Sequence, residues 1–204
     1  IPDERLKGFL RFGIHGIRML CTAAIVMAFL GYFGEWLTLL PSKLLVGEAC
    51  ARVNEGWSYM VKLDDFVSLT AENCGQFGAD TRLVAGLDGV IASPAGLREG
   101  QRLALVDVIN SATWILVVIL LEIEVRLLTR WGGGSRPMAR LANSLKVVLY
   151  TTLVVAAIYW GFKGDFLDFW DAALWLFAFV FIELNVFEWQ QEIRDQTESA
   201  QGPV

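Results

Sequence analysis

The chain has 204 residues, of which 55% are hydrophobic and 19% charged, with eight tryptophans and a formal net charge of -5. With a mean hydropathy of +0.48, this is the composition of a polytopic membrane protein and not of a soluble domain. It also argues against nucleic acid as a partner, because no basic stripe remains once the cations that flank the apolar runs are set aside.

In chain order, an arm carrying Arg5, Lys7, Arg11, His15 and Arg18 leads into a first apolar run at 17–40. That run is too long for a removable signal peptide, and no small-x-small cleavage site precedes Pro41, so it is expected to remain as a span. Three further runs follow at 103–128, 144–162 and 166–189. Each is long enough, at about 1.5 Å of rise per residue, to cross a hydrocarbon core of roughly 30 Å. The expected architecture is all-α, with four transmembrane helices. Residues 1–40 would form a cytoplasmic arm and the first helix, 41–102 an extra-cytoplasmic helical insert and 103–128 the second helix. Residues 129–143 would form a cytoplasmic linker, 144–189 the third and fourth helices, and 190–204 a cytoplasmic tail.

Orientation follows from the lysines and arginines near the runs. The first arm and the connection bearing Arg130, Arg136, Arg140 and Lys146 are basic, whereas the link between the last two runs offers only Lys163. The basic flanks are expected in the cytoplasm, in a membrane such as the bacterial inner membrane, which leaves 41–102 outside.

Within that insert, Leu45, Ala49, Val53, Trp57, Met60, Val61, Phe66 and Leu69 recur at roughly helical spacing. The spacing predicts one or two short amphipathic helices over the bundle mouth or on the membrane surface. Cys50 and Cys74 both fall in the insert, and thiols facing an oxidising compartment tend to pair, so a disulfide is expected. Trp57, Tyr59 and Phe66 are candidate contacts for a partner or for lipid. Asp88-Gly89 and Ser93-Pro94-Ala95-Gly96 read as turns. Trp131-Gly132-Gly133-Gly134-Ser135-Arg136-Pro137 reads as a linker, since no Gly-Lys-Ser/Thr follows it to cradle a phosphate.

The runs echo one another. Trp114 to Val125 aligns without a gap on Trp175 to Val186, with Asn110 and Ala112 over Asp171 and Ala173, and Glu122 over Glu183. Leu30 to Leu37 aligns on Trp160 to Leu167 through a shared Gly-aromatic-x-Gly-acid-aromatic-Leu pattern. The two offsets, 130 and 61 residues, differ by essentially the length of the insert. A two-helix hairpin duplicated in the same orientation is expected, making a four-helix bundle with a pseudo-two-fold axis along the membrane normal. The Gly-x-x-Gly pairs, Gly31 with Gly34 and Gly161 with Gly164, read as helix ends beside an aromatic anchor.

Carboxylates inside such helices are costly and need a partner or a task. Glu122 and Glu183 lie roughly 10–12 Å from the inner ends of their helices. Glu122 has Arg126 at i+4 on its own helix, whereas Phe187 stands at the matching place after Glu183. Partners for Glu183 are therefore sought in Arg18, Lys146, His15 or Arg126. Glu124, Asn185 and Glu188 could belong to either of two arrangements. One expectation is an ion-pair network that fixes helix register. The other is a proton or cation site between the two glutamates, with Asn110 and Asp171 on the same stripe toward the outer mouth.

A single histidine cannot supply bis-imidazole haem ligation, and no metal-ligand spacing, nucleophile elbow or Cys-x-x-Cys is present. No cofactor is expected. The expectation is a non-catalytic integral-membrane subunit, in contact with lipid, that packs with other membrane subunits or self-assembles through its external insert. The alternative is a proton or cation channel or transporter.

Overall fold

The computed structural model describes residues 4–131 and 136–181. Three helices are long and apolar enough to cross a membrane, with candidate spans at Met19–Leu39, Pro94–Ile123 and Arg140–Lys163. The fold is mostly helical, consistent with a membrane protein, and also carries a small sheet. Helices suit that setting because they satisfy their own backbone groups where no water is available. The chain forms two compact units, Ile1–Leu121 and Glu122–Val204.

In the first unit, helix α1 covers Glu4–Leu39. It stops one residue short of the Leu40-Pro41 pair, as expected where proline removes an amide donor and disfavours helical geometry in the residue before it. The insert then departs from the helical expectation. Only Ala49–Glu55 winds, as a 3-10 helix closed by Gly56 at φ +73, with a second short turn at Cys74–Gln76. The rest is a five-stranded sheet of β1 (Lys43–Leu44), β2 (Ser58–Lys62), β3 (Asp65–Ser68), β4 (Arg82–Leu83) and β5 (Val90–Ala92). Its order is β1-β4-β5-β2-β3. The pairs are antiparallel except β2 with β5, which run parallel with Tyr59 opposite Ile91.

Alternation explains the correction. Tyr59 turns to one side of the sheet, where its ring meets Phe77 at 5.0 Å between centroids, while Met60 turns to the other and is buried against α2. The apparent helical spacing arose from adding apolar positions across the Leu63-Asp64 hairpin turn. The first face covers a core of Ala49, Leu69, Cys74 and Ile91, with Leu45, Val53, Trp57, Tyr59, Phe77 and Leu83 packed around it.

Helix α2 spans Pro94–Trp131 and starts where a turn was expected. Ser93 caps it, its Oγ accepting the Gly96 amide at 3.0 Å, and Pro94 takes the first helical position, where no donor is needed. The second sheet face lies on this helix start. A Cβ on Gly96 would sit 3.2 Å from the Met60 carbonyl oxygen, and one on Gly100 would sit 3.0 Å from Met60 Cε. Two bare positions a helical turn apart thus let β2 lie directly on α2. Gln101 Nε2 also donates to the Leu39 carbonyl at 2.7 Å, which ties α2 to the end of α1.

In the second unit, α3 covers Arg136–Lys163, and a further helix, α4, is described over 166–181. Gly164 at φ +72 ends α3. There the Asp165 amide donates to the Trp160 carbonyl at 3.0 Å and the Gly164 amide to the Gly161 carbonyl at 3.3 Å, a Schellman closure. The Asp165 carbonyl then accepts from Phe169 at 3.1 Å and opens α4. Leu153, Ala156, Ala157 and Trp160 form a buried stripe on α3.

The aligned glycine patterns therefore fold differently. In the second, Gly161 admits the Phe169 ring, 3.3 Å from an added Cβ, and Gly164 turns the chain. In the first, Gly31 and Gly34 lie inside α1, which runs on to Leu39. Of the duplicated four-helix bundle, the described residues show three helices of spanning length together with α4.

Two substitutions separate these environments. Gly96→Val should force β2 off α2 and cost about 1–3 kcal/mol by overpacking, seen as a lower melting temperature and faster hydrogen exchange over 58–68. Gly31→Ala, with open space around it, should be neutral or gain up to about 1 kcal/mol of helix propensity.

Candidate functional sites

The inter-helix domain is closed by a Cys50–Cys74 disulfide, with Cα atoms 5.0 Å apart and a sequence separation of 24. It joins the two 3-10 turns beside Ala49 and so locks the loop-rich side of the core. The expected pairing is present. The aromatics expected as contact residues divide: Trp57 packs on the core with the Arg52 guanidinium 5.2 Å above its ring, and Tyr59 packs on Phe77. Phe66 remains exposed, on edge strand β3. Val46, which follows β1 at the opposite edge, is 84% exposed. Edge strands leave one row of backbone donors and acceptors unpaired.

Within the first unit, the polar positions of α2 are mostly satisfied by its own backbone. Ser111 Oγ donates toward the Asp107 and Val108 carbonyls at 2.8 and 3.1 Å, and Thr113 Oγ1 donates to the Ile109 carbonyl at 2.6 Å. Asn110 is the exception. Its Oδ1 is buried with no hydrogen-bond partner among the described residues. A buried acceptor left unmatched costs about 1–3 kcal/mol.

In the second unit, Glu122 on α2 and Lys146 on α3 are half-buried, and Asp171 on α4 is exposed. Asp171 and Trp175 are thus both exposed, whereas their aligned counterparts Asn110 and Trp114 are half-buried. Glu183 and Asn185 lie outside the described residues, as do the side chains of His15, Arg18, Glu124 and Arg126. The pairing of Glu122 with Arg126 and the choice of a partner for Glu183 fall there too. Among the described residues, no group of three or more His, Cys, Asp or Glu side chains is placed to hold a metal ion.

Two features were not anticipated from the sequence. One is the Gln101–Leu39 bond, for which a lone amide just before an apolar run was the available signal. The other is a groove of about 690 Å³ between α3 and α4, lined by Tyr150, Val154, Ile158, Phe169, Phe177 and neighbouring apolar residues. It has the size of a small-molecule site but few polar groups with which to orient a ligand. Comparison with known protein families, curated proteins and solved structures finds no match.

Opening the disulfide tests how far it supports the domain. For a loop of this length, Cys50→Ser should cost about 3 kcal/mol. Limited proteolysis should then cut within 41–93 under conditions that leave the oxidised parent intact, while the far-ultraviolet helical signal stays unchanged.

Proposed function

We propose that the chain is a non-catalytic integral-membrane subunit that packs into a larger membrane complex or self-assembles through α1. The observation that carries this is the bareness of that helix among the described residues of its own unit. From Phe12 to Thr38 no described side chain is buried, although Met19–Leu39 is long and apolar enough to cross a membrane. Ala24, Ala28 and Gly31 fall within about 60° of one another at 100° per residue. All three are exposed, and a Cβ on Gly31 would meet nothing within 4 Å. Lipid chains are as apolar as leucine, so helices associate in a bilayer through close packing, which small residues permit. A helix surrounded only by lipid gains nothing from such a face.

The same reading has both termini in the cytoplasm of a bacterial inner membrane, with two duplicated hairpins crossing it. The sheet domain would stand outside and offer its exposed edges to the complex. Its disulfide supports that side, since disulfides persist in oxidising compartments. The test is association in lipid nanodiscs, read by native mass spectrometry. The parent should assemble, and Ala28→Leu should weaken assembly at least tenfold, about 1.4 kcal/mol. A parent that is monomeric at every concentration and recovers no subunit from its native membrane contradicts the proposal.

One observation favours a second reading, a proton or cation channel or transporter: the unmatched Oδ1 of Asn110, on the same helix as Glu122. The readings separate on Asn110→Leu. For a subunit, parent proteoliposomes carry no flux, and the substitution raises thermal stability by removing the unmatched acceptor. For a channel, the parent conducts, and the substitution or Glu122→Gln lowers the flux.

A further inference from the structure

Beyond assembly, the junction between α1 and the sheet carries a second interaction surface. Two contacts fix the last turn of α1 at the base of the inter-helix domain. A Cβ on Gly86, at φ +82 in the β4–β5 loop, would sit 3.4 Å from Thr38 Cβ. The Leu39 carbonyl is held by Gln101, one residue beyond the Gly100 position on α2 that faces Leu63 of the β2–β3 turn. Thus the β4–β5 loop and the end of α1 meet where the apolar span of α1 ends, with the β2–β3 turn beside them on α2.

Each of these parts carries an apolar side chain that the domain does not bury. Leu40, Leu44, Phe66 and Leu87 are 41% to 54% exposed. Register shows that this is not the core side of the sheet. Leu44 pairs with Arg82 and Phe66 with Met60, whereas the core-side pairs are Lys43 with Leu83 and Tyr59 with Val67. Met60 is buried on α2, so Leu44 and Phe66 belong to the helix-facing side and project at its two edges. One cation shares this side: Arg82, opposite Leu44, donates to Ser42 Oγ at 3.0 Å.

We propose that this rim is a membrane foot, in which Leu40, Leu44, Phe66 and Leu87 enter the leaflet nearest the sheet while Arg82 meets its headgroup phosphates. Apolar side chains at such a boundary sink about 5–10 Å into the headgroup and upper acyl region, and basic groups add attraction for anionic lipid. The foot fixes the tilt of the domain on the bilayer and therefore which of its edges a partner meets.

The experiment uses the full chain in nanodiscs containing anionic lipid, with the disulfide intact and the free thiol removed by Cys21→Ser. An environment-sensitive dye is attached in turn to Leu44→Cys, Phe66→Cys and Leu87→Cys, with Glu72→Cys as the control. Glu72 is exposed near the Ser58–Ser68 end of the β2–β3 hairpin, away from the turn. The expected result is blue-shifted emission at the rim positions, quenched by lipids labelled near the top of the acyl chain and independent of protein concentration, with neither effect at the control. Any variant that loses protease resistance is set aside, and the remaining rim positions decide. Water-like emission at the rim overturns the proposal. A blue shift without lipid quenching that grows with concentration also overturns it, and assigns the rim to a second copy.

Discussion

The structure of the first unit depends on how closely β2 lies against the first turns of α2. Gly96 and Gly100 leave that side of the helix without side chains, so the Met60 backbone and thioether fill the space that two Cβ atoms would need. Because α2 continues from this contact into an apolar span, the sheet is seated directly on a membrane helix. The Gln101–Leu39 bond then holds the end of α1 to the same helix. Five short strands would be marginal alone. Covered on one face by α2, and stapled on the other through Cys50 and Cys74, they have two sources of stability independent of strand length.

Below that junction the balance reverses. The inter-helix domain is well buried around Ile91 and Ala92, but no described side chain of α1 is buried before Leu39. The small-residue face of Ala24, Ala28 and Gly31 is not covered among the described residues. The second unit shows what such covering looks like: Gly161 receives Phe169 and Gly164 turns the chain, so α3 and α4 pack as a hairpin. The matching glycines of α1, Gly31 and Gly34, receive nothing within 4 Å among the described residues, although the local sequence is similar.

That contrast marks how far the sequence could be read. Apolar runs made the spanning helices legible because length and hydropathy are local properties. The Cys50–Cys74 pairing was legible because both thiols fall in one loop between spans. The sheet was not, since strands of two to five residues carry too little periodicity of their own and β2 finds β5 across some thirty positions of chain. An apolar residue every three or four places fitted a helix equally well until Gly56 and the Leu63-Asp64 turn divided the run. Among the candidate contacts, composition could not distinguish Trp57 and Tyr59, which went to the core, from Phe66, which stayed outside. Asn110 was legible as a polar group on the α2 stripe. That its Oδ1 is unmatched while Ser111 and Thr113 bond to their own helix is a matter of geometry alone.

The most direct measurement is photo-cross-linking from Ala28 in the native membrane, with a photoreactive residue placed at that position in the full-length chain. A discrete protein adduct of one size, lost when the reactive group is moved to the opposite face of α1, is the expected result. Adducts with lipid alone, from Ala28 and from the opposite face alike, would contradict the claim that α1 is an assembly surface.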